Sequence, residues 1–347
     1  MTTPPTNRKH VLVPTTMGGA GVDILAARPD LQVTRYAPTI DAEAFHALLA
    51  DAAGIALSFT PFRQAEVEAA PLLRVVARIG VGFDAVEVPA LTARGIPLMV
   101  AGTANSTSVA EQALCFILAL AKRTAEMHRR MRQGIGHDRH GALPVELSGK
   151  TVLIVGFGRI GSRTAPRCAA FGMHVLAYDP YKPAETIRAA GCEPVADLDA
   201  ALARADVVSI HCPKNAETSG MFGAARLAAM KPGAFLVNTA RGGIVDEAAL
   251  HDALVSGHLA GAGLDVFEPE PPDAAHPLLQ LEQVLAAPHM AGVTAESVAA
   301  MAVATANNLL SVLDGTPVLE NAINPEVFAP AAYRGGDAWK SSTRKFT

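Results

Sequence analysis

Three glycines and one acid in the middle of the chain have the spacing of a dinucleotide-binding turn. The segment TVLIVGFGRIGSRTAPRCAAFGMHVLAYDP contains them as Gly156, Gly158, Gly161 and Asp179. In such a segment the first glycine permits a tight turn, the second lets the backbone approach a pyrophosphate, and the third lets the next helix pack closely on the strand. The pyrophosphate is then expected at the helix N-terminus, on the amides of Arg159 and Ile160.

Asp179 decides which dinucleotide this turn is expected to hold. It ends the second predicted strand, where a carboxylate can accept hydrogen bonds from both ribose hydroxyls and would repel a 2′-phosphate. A glycine pattern alone is weak, but here a strand precedes it, a helix follows it and an acid ends the next strand. The segment therefore predicts an NAD site, and it disfavours the alternatives of an NADP site or a turn without a ligand.

Three further motifs follow predicted strands and carry polar side chains. They are VNTARGGIVDEAAL, GAGLDVFEPEPP and LAAPHMAGVT, which supply Thr239 to Arg241, Asp265 with Glu270, and His289. Open α/β sheets bind ligands outside the carboxyl ends of their strands. The motifs therefore place a cation, two acids and a base that titrates near neutral pH at that edge of the second sheet.

The elements that must position these residues are two sets of alternating strands and helices. In the first set, apolar strands are predicted near residues 10–13, 54–58, 75–79 and 97–100, with helical stretches such as 41–52 and 66–70 between them. The second set begins at Thr151, with further strands at 174–178, 207–211, 235–238, 262–266 and 284–286. This alternation predicts an α/β protein with two doubly wound parallel sheets, Rossmann-like or flavodoxin-like.

Two long helices, predicted over residues 106–123 and 295–314, stand before and after the second set. They can carry the chain out of one domain and back again, so we predict that one domain is inserted into the other. The substrate domain is then residues 1–103 with 293–330, the NAD-binding Rossmann domain is 104–292, and the polar tail is 331–347. Hinges are expected near residues 102–105 and 292–294. The alternative is two domains in simple succession.

Composition limits the classes of function. The 347 residues are 50% hydrophobic with a net charge of -4, which gives no basic field for nucleic acid. The start, MTTPPTNRKH, has no apolar run of a secretory signal, and no uncharged run reaches the ~18 apolar residues of a membrane span. The four cysteines lack metal-ligand spacing. We therefore expect a cytoplasmic protein with reduced thiols and no metal, nucleic-acid or membrane partner.

The motifs GFGRIG, NTARGG, DVFEPEP and PHMAG, together with Asp179, occur in the order found in one family. With them the chain resembles the D-isomer-specific 2-hydroxyacid dehydrogenases, which include phosphoglycerate, glycerate/hydroxypyruvate, glyoxylate, D-lactate and formate dehydrogenases. The likeness runs from about residue 10 to residue 325 and includes the inserted domain.

The resemblance implies that Arg241, Glu270 and His289 are the catalytic residues. Reduction of a 2-oxo acid requires a hydride at the carbonyl carbon and a proton for the developing alkoxide. An imidazole such as His289 suits the proton step, and a carboxylate such as Glu270 on the far ring nitrogen would orient it. The planar fork of Arg241 can polarise the carbonyl and hold the substrate carboxylate.

The resemblance also assigns binding roles. In the first domain ARIGVGFDAV ends a strand in a glycine turn, whose Val81 and Gly82 amides are expected to bind the substrate carboxylate. Other residues expected to contact substrate or nicotinamide are Ser58, Asn105, Ser108, Ala240, Asp265 and Gly292. The strand end His211, Cys212 and Pro213 is expected to line the cofactor, as is Thr239.

The sequence differs from two groups of family members, at the positions of Leu57 and Glu270. Members that handle phosphorylated substrates often carry Arg just before the serine of the 54–60 segment, where this chain has Leu57, and Arg63 follows only later. Formate dehydrogenases have Gln where this chain has Glu270, because formate oxidation needs no proton transfer.

The sequence thus predicts an NAD-dependent oxidoreductase, a D-2-hydroxyacid dehydrogenase acting on a short 2-oxo acid such as glyoxylate or hydroxypyruvate. The resemblance further implies a homodimer with its active site in a cleft between the domains. Two alternatives stay open: a D-3-phosphoglycerate dehydrogenase of serine synthesis, and a non-enzymatic NADH-sensing scaffold like the corepressors that share this fold. The Arg- and His-rich segment 127–143 is expected to be a solvated helix end and loop or a subunit contact.

Overall fold

The computed structural model describes residues 8–136 and 143–329, which form two compact units. One unit contains the described residues up to Asn105 together with those from Thr294 onward, and the other is Ser106–Val293. The second unit is therefore inserted into the first, and each contains one parallel sheet. This confirms the predicted fold class. The predicted tail 331–347 lies outside the described residues, as do residues 137–142 of the Arg- and His-rich segment.

The first unit has a five-stranded parallel sheet in the order β2-β1-β3-β4-β5. The strands are β1 (Lys9–Pro14), β2 (Leu31–Tyr36), β3 (Ala52–Leu57), β4 (Val75–Arg78) and β5 (Leu98–Met99). Its helices are α1 (Gly19–Ala26), α2 (Ala42–Leu49), α3 (Gln64–Ala69), α4 (Val88–Ala93) and α12 (Ala295–Leu313). Strands β1 and β3 are buried on both faces, as expected for the middle of a parallel sheet covered by helices.

Two elements of this unit lack the apolar pattern that predicts a buried segment. Strand β2, LQVTRY, leaves Gln32 and Arg35 exposed because it lies at the edge of the sheet. Helix α1, GAGVDILA, buries only Gly21 and Leu25.

The predicted helix 41–52 is shorter in the structure: α2 ends at Leu49, and Ala52 begins β3.

Helix α12 returns the chain from the inserted unit to the first one. Its N-cap Thr294 accepts a hydrogen bond from the Ser297 amide at 3.1 Å, and the Thr294 amide donates to the Ser297 hydroxyl at 2.8 Å. The helix packs on α1, β3 and β4. Among the described residues, α12 is the one helix whose length and apolar composition would allow it to cross a membrane. That test considers length and composition only.

The inserted unit has a seven-stranded parallel sheet in the order β12-β11-β10-β9-β6-β7-β8. Its strands are β6 (Thr151–Val155), β7 (His174–Tyr178), β8 (Glu193–Pro194), β9 (Val207–Ile210), β10 (Ala234–Asn238), β11 (Leu259–Leu264) and β12 (Val284–Ala286). Its helices are α5 (Ser106–Ala121), α6 (Thr124–Arg132), α7 (Gly161–Ala170), α8 (Ala184–Ala189), α9 (Leu198–Leu202), α10 (Ala224–Ala229) and α11 (Glu247–Val255).

The two faces of this sheet carry separate apolar cores. Leu153 and Val155 of β6 point into one core, and Val152 and Ile154 point into the other. The chain winds outward from β6 in both directions, so the strand order reverses between β6 and β9. In doubly wound sheets the ligand crevice opens at this reversal, outside the carboxyl ends of the strands.

Candidate active site

The three glycines after β6 differ in what surrounds them. Gly156 has φ +95°, and a β-carbon there would lie 2.6 Å from the Cys212 amide nitrogen. A β-carbon on Gly161 would overlap the Gly156 carbonyl oxygen. A β-carbon on Gly158 would meet no atom within 4 Å. Packing therefore requires the first and third glycines, while the second leaves the backbone accessible to a ligand.

The glycine turn leads into α7 at the reversal of the strand order. Ile160 is the N-cap residue of this ten-residue helix, and the first amides of a helix have no partner within it. Arg159 is exposed beside them. The geometry is that of an anion site made by backbone amides and the helix dipole, which suits a pyrophosphate.

Asp179 follows β7 and is tied to the glycine turn. One of its carboxylate oxygens accepts the Phe157 amide at 2.8 Å, and the other accepts the Tyr181 amide at 2.9 Å. Each carboxylate oxygen has a second lone pair, so both can still accept a ribose hydroxyl. The carboxylate is therefore fixed at the position where an adenosine ribose is expected.

Two buried polar atoms at this edge have no hydrogen-bond partner in the part of the chain that the structure describes. They are His211 Nδ1, after β9, and Thr239 Oγ1, after β10. His211 Nε2 lies 2.9 Å from the Ser209 hydroxyl, and burial lowers the pKa of this imidazole to about 3. Burial likewise raises the pKa of the Cys212 thiol to about 11, with a smaller contribution from the Asp179 charge. Both side chains are therefore uncharged at neutral pH, and the two unpaired atoms can hydrogen-bond a ligand that enters this edge.

The predicted acid–base pair is formed. His289 Nδ1 lies 2.7 Å from Glu270 Oε2, and Glu270 Oε1 accepts the Phe267 amide at 2.9 Å. The side chains are only partly exposed, 43% for His289 and 34% for Glu270, so the pair is not a freely solvated one. Because the carboxylate holds Nδ1, the other ring nitrogen, Nε2, is the one left for a substrate.

Glu270 stays ionised in this environment. Burial raises the pKa of its carboxyl, but the hydrogen bonds from His289 and the Phe267 amide, with the charges of His289 and Arg241, outweigh that effect. Its pKa is therefore below the ordinary value for glutamate.

His289 has an uncommon backbone conformation, with φ +55°. Asp265, directly after β11, holds this turn in place. Its two carboxylate oxygens accept the amides of Met290 and Ala291 at 2.8 and 2.9 Å, and its carbonyl accepts the His289 amide at 2.8 Å. Burial raises the pKa of the Asp265 carboxyl, and the two amide hydrogen bonds oppose that rise. The predicted contact of Asp265 with the nicotinamide stays a prediction.

Arg241 lies on a turn that the buried Asn238 side chain holds. Asn238 Oδ1 accepts the Ala240 amide at 3.0 Å, and its Nδ2 donates to the Arg241 carbonyl at 2.9 Å. Arg241 Nη1 donates to the Ala240 carbonyl at 2.7 Å. Nothing in the resemblance pointed to Asn238. The signal was present in VNTAR, since an Asn at a strand end commonly hydrogen-bonds the backbone two residues on.

The other predicted residues lie on both units. Val81 and Gly82 follow β4 at the carboxyl edge of the first sheet, directly after Gly80, whose φ is +125°. Ser58 follows β3 and is buried, and Asn105 has a buried Oδ1 without a partner among residues 8–136 and 143–329. Ser108 is in the first turn of α5, and Gly292 follows the His289 turn in the inserted unit.

In the inserted unit, the glycine turn, Asp179 and the paired histidine lie at one edge of a Rossmann sheet. That combination defines a nicotinamide-dinucleotide-binding domain of the oxidoreductase type. The model of the D-isomer specific 2-hydroxyacid dehydrogenase NAD-binding domain matches residues 114–291, half of the chain. The chain therefore belongs to the D-isomer specific 2-hydroxyacid dehydrogenase family.

Named relatives agree with this family. A D-3-phosphoglycerate dehydrogenase of Mycobacterium leprae is 44% identical over 276 residues, 79% of this chain and 48% of that protein. A glyoxylate reductase of Korarchaeum cryptofilum is 39% identical over 276 residues, 79% of this chain and 82% of that protein. The chain thus spans about half the length of the phosphoglycerate dehydrogenase.

A solved structure shows the same architecture. The D-lactate dehydrogenase of Aquifex aeolicus, complexed with NAD and lactic acid, superposes with a TM-score of 0.80 at 28% identity. The superposition covers 92% of this chain and 100% of that one.

Proposed function

We propose that this protein is an NAD(H)-dependent D-2-hydroxyacid dehydrogenase that interconverts a short 2-oxo acid and its D-2-hydroxy acid. The observation that supports this most is the 2.7 Å contact between His289 Nδ1 and Glu270 at the sheet edge that carries the glycine turn. Other histidine–carboxylate pairs occur in this protein, such as His46 with Glu66, but this one lies at the sheet edge that carries the glycine turn.

Each residue of the trio has a role that its surroundings support. Bound NADH would supply the hydride for the carbonyl carbon. His289 Nε2 donates the proton that the developing alkoxide takes up, and Glu270 keeps the ring oriented for that step. Arg241 binds the substrate carboxylate and polarises the carbonyl. In the reverse direction His289 accepts the hydroxyl proton.

We propose NAD rather than NADP as the cofactor. Asp179 is held by two backbone amides, so it cannot swing away from a 2′-phosphate without losing both hydrogen bonds. The buried unpaired atoms of His211 and Thr239 support a nucleotide at this edge. The predicted binding of the substrate carboxylate by the Val81 and Gly82 amides is also part of this proposal.

An unphosphorylated acid such as glyoxylate or hydroxypyruvate is the proposed substrate. Leu57 is fully buried, and Phe59, two residues later, is 78% exposed with the Arg78 guanidinium carbon 5.3 Å from its ring centre. The residue before Ser58 is thus a buried leucine rather than the arginine that members handling phosphorylated substrates often carry there, and the cation over the Phe59 ring is Arg78 of β4. D-3-phosphoglycerate is the second candidate, because it is in the name of the 44% identical relative.

The test is a panel of 2-oxo acids with NADH and NADPH, followed by loss of nicotinamide absorbance. We expect turnover of glyoxylate or hydroxypyruvate with NADH, and little with NADPH or with 3-phosphohydroxypyruvate. Replacement of His289 by Asn or of Arg241 by Ala should lower turnover by orders of magnitude. Turnover of no 2-oxo acid would contradict the proposal and favour an NADH-sensing scaffold. A preference for NADPH would remove the role given to Asp179.

The oligomeric state is proposed separately. A homodimer is expected from the family, and light scattering on the purified chain decides between a dimer and a monomer.

A further inference from the structure

Glu247, outside the proposed catalytic trio, contacts the segment that carries Glu270 at two points. It is the first residue of α11 and follows the Arg241 turn by six residues. Its Oε1 accepts the Glu268 amide at 2.9 Å, and its Oε2 lies 3.0 Å from His276 Nε2. Its side chain is only 19% exposed. One partly buried carboxylate therefore contacts both ends of the segment 268–276.

The segment between these two contacts includes Glu270. The ring of His276 packs edge-on against the ring of Phe267, with centres 5.7 Å apart. The Phe267 amide in turn donates to Glu270 Oε1 at 2.9 Å. A continuous set of contacts thus leads from Glu247 through His276 and Phe267 to the carboxylate that holds His289.

The Arg241 turn is part of the same assembly. A β-carbon on Gly242 would overlap the Phe267 carbonyl, and one on Gly243 would overlap the Glu268 carboxylate. Lys214 pairs with that carboxylate at 2.5 Å. The Arg241 turn and the Glu270 segment are therefore in direct backbone contact, and Glu247 joins the two from the start of α11.

We propose that Glu247, together with His276, is a positioning pair that fixes the orientation of the Glu270 carboxylate toward His289. Neither residue touches the reacting groups, so they act through Glu270. The charged and titratable groups that act on Glu247 are His276 and Glu268, and Glu268 in turn pairs with Lys214. Burial raises the pKa of Glu247 itself. The two oxygens of a carboxylate can accept hydrogen bonds from the Glu268 amide and from His276 at the same time. A single hydroxyl oxygen at this position could not reach both donors.

The proposal rests on the proposed function for its kinetic readout but has a second readout that needs no substrate. The first is the kcat, the KM for NADH and the pH profile of kcat/KM. The second is the titration of the His289 imidazole in the purified protein, followed by NMR of its ring protons. Variants are Glu247→Ala, which removes both contacts, Glu247→Gln, which keeps an acceptor for the Glu268 amide, and His276→Phe, which keeps the ring contact alone.

In Glu247→Ala we expect kcat to fall about ten- to a hundredfold, since a misplacement of about 1 Å can have that effect, while the KM for NADH stays near the wild-type value. The ring-proton signals of His289 should move in the NMR titration, because Glu270 is displaced from Nδ1. Glu247→Gln should recover most of the lost kcat and most of the change in the His289 signals. The effects of His276→Phe should lie between those of Glu247→Ala and Glu247→Gln.

The matched control is His46→Phe in the first unit, where His46 Nε2 pairs with Glu66 at 3.1 Å. Loss of that histidine–glutamate pair should leave kcat and the His289 titration as in wild type. An unmoved His289 titration in Glu247→Ala would overturn the positioning role whatever the kinetics. A fall in kcat in Glu247→Ala that persists in Glu247→Gln would also overturn the positioning role. If no 2-oxo acid is turned over by wild type, the proposed function fails while the NMR readout still decides this proposal.

Discussion

Gly242 and Phe267 are in backbone contact: a β-carbon on Gly242 would overlap the Phe267 carbonyl oxygen and lie 2.9 Å from the Glu268 nitrogen. The contact fixes the distance between the turn that carries Arg241 and the segment that carries Glu270. No flexible side chain is available to move aside, since the obstructing atoms are backbone.

Gly242→Ala should therefore separate Arg241 from Glu270. We expect kcat/KM to fall about a hundredfold, because a shift of the order of 1 Å in a binding residue has that effect. Steady-state kinetics with circular dichroism measures it. Gly223→Ala is the control, since its β-carbon would come no closer than 3.7 Å to its nearest neighbour and its φ is -82°. Equal kinetics for the two variants would contradict the prediction.

Asp265→Asn should destabilise the protein and displace His289. An amide oxygen can accept only one of the two hydrogen bonds from Met290 and Ala291, and its NH2 group would face the other N–H. Leaving one buried amide unpaired costs about 1–3 kcal/mol in the free energy of unfolding. Denaturant unfolding measures the change. Asp246→Asn is the control, because it caps α11 through one amide, and Asn caps equally well.

The backbone of His289 limits what can replace it. At φ +55° an Asn is tolerated and a β-branched residue is not. His289→Asn should keep the wild-type melting temperature while losing turnover. His289→Val should lose turnover and also lower the melting temperature. Differential scanning calorimetry of the two variants checks this, and equal melting temperatures would show that the turn adapts.

His211 should make stability depend on pH. Its folded pKa is about 3 against an ordinary value of about 6.5, so between these values the unfolded chain binds a proton that the folded one does not. The free energy of unfolding should therefore rise with pH across this window and fall on acidification. His211→Gln should flatten the dependence of the melting temperature between pH 7 and pH 5. Substitution of the exposed His174 by Gln is the control and should leave the wild-type slope.

Sequence patterning predicted most strands because central parallel strands are buried on both faces and form apolar runs. The edge strand β2 lacks such a run, since one side of it faces solvent, and it was missed. Of the site, residue types and spacing predicted the glycine turn and Asp179, and the family resemblance supplied Arg241, Glu270 and His289. The sequence did not predict hydrogen bonds between residues that are distant along the chain, such as Glu247 with Glu268 and Asp265 with Met290. A pattern along the chain cannot reveal which amide a carboxylate will meet.

The acids of this site share one kind of anchor. Asp179 accepts the Phe157 amide, Asp265 the Met290 and Ala291 amides, Glu270 the Phe267 amide, and Glu247 the Glu268 amide. Every amino acid except proline supplies that amide, whatever its side chain. Proline is therefore excluded at every donor position, whereas the choice of side chain there depends on its own packing, as with the buried rings of Phe157 and Phe267. The path of the backbone therefore sets the positions of the negative charges in the site.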